Sequence, residues 1–177
     1  MIALLVIDMI HEFVDGKFGS DRAKSIVLYI KKLIDLFNEK NLPVIYINDS
    51  HVEGDPELRV WGPHAMKGSF SSEIIDDLKP DQNAIVIEKR TYDAFFNTQL
   101  NDILKSHDVD RIIIAGVSTD ICVLHTVAHA FFLGYDTIIV KECTEAIKES
   151  NREFGLKYMK NIYGTKMISI KEAGEII

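Results

Sequence analysis

The sequence predicts an α/β fold, a three-layer αβα sandwich around a six-stranded, mostly parallel sheet. Two observations predict it. Short apolar runs alternate with amphipathic helical stretches along the chain, the pattern of repeated strand–helix units. Most of the runs are continuous in Ile, Val and Leu rather than alternating, as parallel strands covered on both faces require. With 177 residues and no internal repeat, low-complexity tract or linker, one domain over residues 1–177 is expected.

The first strand is Ile2–Ile7, which ends on Asp8. A long helix is expected over residues 20–41: Ser20 is a good N-cap, Ile26, Ile30, Leu33 and Phe37 recur at helical spacing, and Pro43 stops it. The second strand spans 44–48 and the third 84–88. Between them, residues 49–70 form the longest irregular stretch, with Gly, Pro, two His and the only Trp, a composition that favours a functional loop. A helix is expected at 71–78. Helices 98–107, 119–133 and 150–161 precede strands 111–116, 137–141 and 166–170, and a short helix closes the chain. Gly134 stands where a helix C-cap glycine belongs.

Composition is that of an ordinary globular chain, 47% hydrophobic and 27% charged. A net charge of −7 argues against a general nucleic-acid binder, which needs a basic footprint. No apolar run approaches the ~18 residues of a membrane span. The N-terminal run lacks a basic n-region and ends on a carboxylate, so a strand is expected there rather than a signal peptide. Cys122 and Cys143 are the only cysteines; without a secretory signal they imply a reducing compartment, and the chain is expected in the cytoplasm. Neither a GxGxxG turn after the first strand nor a GxxxxGK[ST] loop is present, so no nucleotide cofactor is implied.

In open parallel sheets ligands bind beyond the carboxyl ends of the strands. Asp8 stands after the first strand, Asp49-Ser-His51 after the second, Lys89 after the third, and Gly116-Val-Ser-Thr-Asp-Ile-Cys122 after the fourth. Each alone says little, since a carboxylate there is commonly a cap and most lysines are solvated. Cys122 is placed in the first turn of a helix, where the dipole and free N–H groups favour a thiolate and can form an oxyanion hole. The other reading is a buried structural thiol, the usual fate of a free cysteine, and it is the reading adopted for Cys143. Asp49 and His51 at i, i+2 point to one side of an extended segment, and His64 can complete a metal set; polar loop residues are the alternative. His125 and His129 share a helical face with i, i+4 spacing but belong to a helix that must pack on the sheet.

These residues together resemble the isochorismatase-like cysteine hydrolases. Asp8-Met-Ile-His-Glu-Phe13 resembles that family's D-M-Q-x-D-F opening, Lys89 in Lys-Arg-Thr-Tyr-Asp-Ala-Phe95 its K-x-x-x-[SD]-A-F block, and Gly116 to Val123 its G-x-x-T-x-x-C-V signature. The resemblance implies a Rossmann-like hydrolase fold with Asp8, Lys89 and Cys122 as catalytic triad. It also implies a cis peptide at Val117–Ser118 and an oxyanion hole from the Ser118 and Cys122 N–H groups. Within the family the nicotinamidase branch is the best match: it implies a divalent metal, zinc or else iron or manganese, on Asp49, His51 and His64, and Phe13 and Trp61 as walls for a flat ring. Three positions depart from it: Ile10 replaces a common Gln, Ala65 a common Cys, and the His51–His64 loop is short.

The activity implied is hydrolysis of a small carboxamide, nicotinamide first, through a thioester. The runner-up is a ureido amidohydrolase resembling N-carbamoylsarcosine amidase, with Arg59 or Arg90 clamping a substrate carboxylate. Vinyl-ether hydrolysis is disfavoured because those relatives lack the cysteine, and a non-enzymatic scaffold is disfavoured by retention of the whole set. The partners implied are a small-molecule amide and, from relatives, further copies of the chain; no nucleic acid or membrane is expected.

Overall fold

The computed structural model describes residues 1–82 and 84–177. Strands β1 (Ile2–Ile7), β2 (Val44–Asp49), β3 (Ile85–Lys89), β4 (Arg111–Val117), β5 (Asp136–Glu145) and β6 (Lys166–Ile168) form one sheet. Its order is β3-β2-β1-β4-β5-β6, and every neighbouring pair is parallel. The helices are α1 (His11–Val14), α2 (Asp21–Ser25), α3 (Val27–Glu39), α4 (Leu58–Trp61), α5 (Leu100–Ser106), α6 (Cys122–Phe132), α7 (Glu149–Tyr163) and α8 (Ile170–Ile176).

β1 shows why three layers form. All six of its residues are buried, and successive side chains point to opposite faces. Ile2, Leu4 and Val6 join a core with Ile30, Leu33 and Phe37 of α3 and Ala173 of α8. Ala3, Leu5 and Ile7 join a second core with Leu100 and Leu104 of α5, Val123 and Val127 of α6 and Met159 of α7. Each wholly buried Leu or Phe contributes about 1.5–3 kcal/mol. Gly116 fixes how closely β1 and β4 approach: its φ is 111°, and a Cβ there would lie 2.0 Å from the Ile7 carbonyl oxygen.

Several sequence expectations change. The helix over 20–41 is two helices, broken at Ile26, which ends α2 and starts α3. No Gly or Pro marks the break. Arg22 of α2 is held by Glu145 and Glu149, on β5 and α7, while α3 lies along the sheet. The helix at 71–78 is instead two short 3-10 turns, Phe70–Ser72 and Asp76–Leu78. β5 runs on to Glu145, where Thr144 and Glu145 pair with Gly116 and Val117 beyond a register shift, so Cys143 lies inside a strand rather than after one. α6 begins only at Cys122, because residues 119–121 are taken up by a turn.

Among the described residues no helix is long and apolar enough to cross a membrane.

Candidate active site

The strand order reverses between β1 and β4, and the crevice beyond such a point is where these sheets bind ligands. Asp8 leaves β1 there with a left-handed φ of 54°. Its N–H donates to the Ile47 carbonyl at 3.1 Å, and its Oδ1 accepts the Asp49 N–H at 2.8 Å. Lys89, the last residue of β3, is 1% exposed. Its Nζ lies 2.8 Å from Asp8 Oδ2 and 3.6 Å from Cys122 Sγ, and it also pairs with Asp49. The structure therefore brings Asp8, Lys89 and Cys122 together and adds Asp49 to the same cluster.

Burial, reinforced by Asp49 and opposed by Lys89, pushes the Asp8 carboxyl up to about 7. Burial also pushes the Cys122 thiol well above its usual value, although Lys89 pulls the other way. Burial works against the Lys89 ammonium, but Asp49 and Asp8 outweigh it and hold the proton. The resting arrangement is a protonated thiol beside a carboxylate that titrates near neutrality, the range suited to a general base.

The peptide Val117–Ser118 is cis. In the turn that follows, Thr119 donates its N–H to the Glu145 carbonyl at 3.0 Å, and Ile121 and Val123 donate to the Ser118 carbonyl. The N–H groups of Ser118 and Cys122 have no acceptor among the described residues, which leaves two donors free at the nucleophile. Such donors are what a tetrahedral oxyanion requires.

Beside this cluster, Asp49, His51, Glu57 and His64 are all buried and offer ligand atoms within 4.8 Å of one another. His51 Nε2 lies 3.5 Å from both Asp49 Oδ2 and Glu57 Oε2, and His64 Nδ1 bonds to the Gly62 carbonyl at 2.8 Å. His51 Nε2 and Glu57 Oε1 are buried with no hydrogen-bond partner among the described residues, a costly state that a cation would relieve. Burial disfavours a charged His51, but Asp49 and Glu57 outweigh it and push His51 up to about 10, the effect of two carboxylates facing one imidazole. Two imidazoles and two carboxylates suit zinc, iron or manganese; the residues fit a divalent ion.

Glu57 is absent from the sequence reading. Its signal was the acidic run Glu53, Asp55, Glu57 between the two histidines, but only the tight turn leading into α4, with Trp61 N–H on the Glu57 carbonyl, turns that side chain inward. A second set of donors, Asp8, Asp49 and Cys122, surrounds the Lys89 ammonium, which already supplies their cation.

The cavity above these groups has Phe13, Phe18, Trp61 and Tyr92 in its walls. Trp61 Nε1–H donates to Tyr92 Oη at 2.8 Å, tying the metal loop to the segment after Lys89. Phe18 and Tyr92 were missed in the sequence because Phe18 belongs to no motif and Tyr92 fills an unspecified position of the Lys89 block. No Lys or Arg lines the cavity among the described residues. Arg59 is exposed on α4, and Arg90 is committed to Asp55. His129 pairs with Asp93 at 2.6 Å and His125 with the Ile121 carbonyl at 2.7 Å; neither lines the cavity, although His125 packs against Tyr92. Cys143 is wholly buried and free.

Residues 2–172 match the isochorismatase domain. The chain belongs to the isochorismatase family. A curated relative, the uncharacterized isochorismatase family protein PncA of Bacillus subtilis, is 31% identical over 93% of this chain and 97% of its own. Among solved structures, the N-carbamoylsarcosine amidase of Thermoplasma acidophilum is 37% identical with a TM-score of 0.91, covering 96% of both chains. The pyrazinamidase of Pyrococcus horikoshii in complex with zinc is 27% identical with a TM-score of 0.87, covering 95% of this chain and 98% of its own. The six-stranded parallel sheet flanked by helices is the fold of these isochorismatase-like hydrolases, and the chain is a hydrolase of that family.

Proposed function

We propose that this isochorismatase-family hydrolase is a metal-assisted cysteine amidohydrolase acting on a small, uncharged carboxamide, nicotinamide first. The observation that carries the reading is the convergence of Asp8, Lys89 and Cys122 at an aromatic-walled cavity with no Lys or Arg in its lining. Asp8 takes the thiol proton as Cys122 Sγ attacks the carbonyl carbon. The Ser118 and Cys122 N–H groups hold the oxyanion. Asp8 returns the proton to the amide nitrogen, the C–N bond breaks, and ammonia leaves a thioester. Asp8 then takes a proton from water as its oxygen attacks the thioester; the acid departs, and the thiolate recovers the proton. Lys89 orients Asp8 and offsets the negative charge that builds between Asp8 and Cys122. Asp49, His51, Glu57 and His64 would hold a divalent ion, zinc for preference, which when bound supplies Lewis acidity to the site.

The 37% identity to an N-carbamoylsarcosine amidase favours a second reading, a ureido amidohydrolase with the same triad. That reading needs a cation for the substrate carboxylate, and the two candidates, Arg59 and Arg90, both stand outside the cavity lining. Two free cysteines support work in the reducing cytoplasm. Self-association belongs to the same proposal, supported by the exposed Phe131, Phe132 and Phe154, and light scattering tests it. The deciding measurement is ammonia release from nicotinamide, pyrazinamide and N-carbamoyl amino acids, with and without chelator. Nicotinamide should exceed the N-carbamoyl substrates at least tenfold in kcat/KM, and Cys122→Ala should release no ammonia while remaining folded. The reverse preference establishes the ureido reading. No release from any substrate, with Cys122 inert to alkylation, establishes a scaffold.

A further inference from the structure

We infer that Asp55 and Arg90 are positioning residues for the metal centre, a two-residue relay that fixes which nitrogen of His51 faces the ion. The inference rests on the metal-assisted reading above. Asp55 is 3% exposed, and every hydrogen bond its carboxylate makes serves one arrangement. Its Oδ2 lies 3.0 Å from His51 Nδ1 and accepts the Val52 N–H at 3.0 Å. Arg90 Nε donates to Oδ1 at 2.9 Å and to Oδ2 at 3.2 Å, and the Arg90 Nη2 reaches Oδ1 as well. A carboxylate only accepts, so Nδ1 carries the proton. Nε2 is then the nitrogen that would give up its proton to an ion, and it lies between Asp49 and Glu57 with no hydrogen-bond partner.

The position of Arg90 explains how the relay is built. Lys89 ends β3 and turns into the catalytic cluster; the next residue points to the opposite side and reaches the loop after β2. One strand end thus supplies the triad ammonium and, one residue on, the guanidinium that holds the metal loop. A bidentate Arg–carboxylate pair sets a plane as well as a distance, and so sets the plane of the imidazole behind it. His64, by contrast, is held through Nδ1 by a neutral carbonyl. Of the two imidazoles, only His51 has a charged pair behind it. Outer partners of this kind commonly change metal affinity about 10–100-fold.

The rival is that Arg90 and Asp55 only tie two loops together, and zinc affinity separates the two. The Arg90 side chain is 57% exposed, but it pairs with the buried Asp55 carboxylate, so metal-free Arg90→Gln should melt a few degrees below wild type under either reading, and zinc affinity is compared on the folded proteins. The zinc affinity of Arg90→Gln, read by competition with a chromophoric chelator, should fall about 10-fold, and that of Asp55→Asn about 10–100-fold. Arg90→Lys should recover part of the loss, because it restores charge without the fork. Cobalt(II) bound in place of zinc should show a shifted visible spectrum in Asp55→Asn. If Arg90→Gln and Asp55→Asn both bind zinc within twofold of wild type, the relay is wrong and the metal centre stands. If wild type binds neither zinc, cobalt, manganese nor ferrous iron, the centre itself is wrong and the relay falls with it.

Discussion

At the scale of single residues the site turns on one buried cation serving several buried acids. Lys89 contacts Asp8, Asp49 and Cys122. Lys89→Met would leave two buried carboxylates without it, and breaking a buried pair from one side costs about 3–5 kcal/mol. Denaturant unfolding at pH 8 should show a loss of that size. At pH 5.5 the loss should shrink, because uncompensated carboxylates take up protons; an equal loss at both values would contradict the arrangement. Asp8 sets a second expectation. The active form of a general base is deprotonated, and burial has pushed Asp8 up to about 7. The value of kcat/KM should therefore rise with pH through about 7 and fall about tenfold per unit below it. Asp8→Asn should lower kcat/KM by about 10²–10⁴ and abolish that limb.

At the scale of elements the active site depends on where two strand ends stop. β1 delivers Asp8, β4 delivers the turn into α6, and Gly116 sets their separation. Gly116→Ala should cost about 3 kcal/mol or more, since it combines a backbone clash with a positive φ; a melting temperature unchanged from wild type would contradict this. The strands were legible in the sequence because parallel strands buried on both faces leave unbroken Ile and Val runs, as in β1 and β4. The end of β5 was not, because Lys141-Glu-Cys-Thr-Glu145 carries no apolar run; there the partner strand decides, with Gly116 and Val117 holding Thr144 and Glu145. The helix over 20–41 divides where the sequence shows no break: its apolar spacing continues through Ile26, which keeps helical dihedrals between α2 and α3. Asp8, Lys89 and Cys122, and Asp49, His51 and His64, stood out as candidates because each follows a strand or matches a motif, and the structure brings each group together. Glu57 lies in an acidic run and Tyr92 in the Lys89 block, but only the tertiary folding of their loops turns the two toward the site.

At the scale of the whole molecule, buried carboxylates gather at one rim of the sheet. Asp8, Glu12, Asp49, Asp55 and Glu57 are buried; Lys89 pairs with Asp8 and Asp49, and the exposed Arg90 pairs with Asp55. Glu12 spends one oxygen on the Ala65 N–H at 2.8 Å, next to His64, so even the first helical turn after β1 helps to hold the metal loop. Buried charge costs free energy unless it is paired, and Glu57 Oε1 and His51 Nε2 lack hydrogen-bond partners where β2 and the loop bearing Glu57 and His64 meet Asp8, Lys89 and Cys122. A divalent ion binding the folded state alone should stabilise the entire chain. At a free zinc concentration a hundred times Kd the gain is about 2.7 kcal/mol, or a rise in melting temperature of about 5–10 °C for a chain of this size. Calorimetry should show that rise, and excess chelator should reverse it. His51→Ala combined with His64→Ala should melt at the same temperature with and without zinc, because two of the four donors are gone. A wild-type melting temperature indifferent to zinc would mean that the acidic rim is held by protons alone.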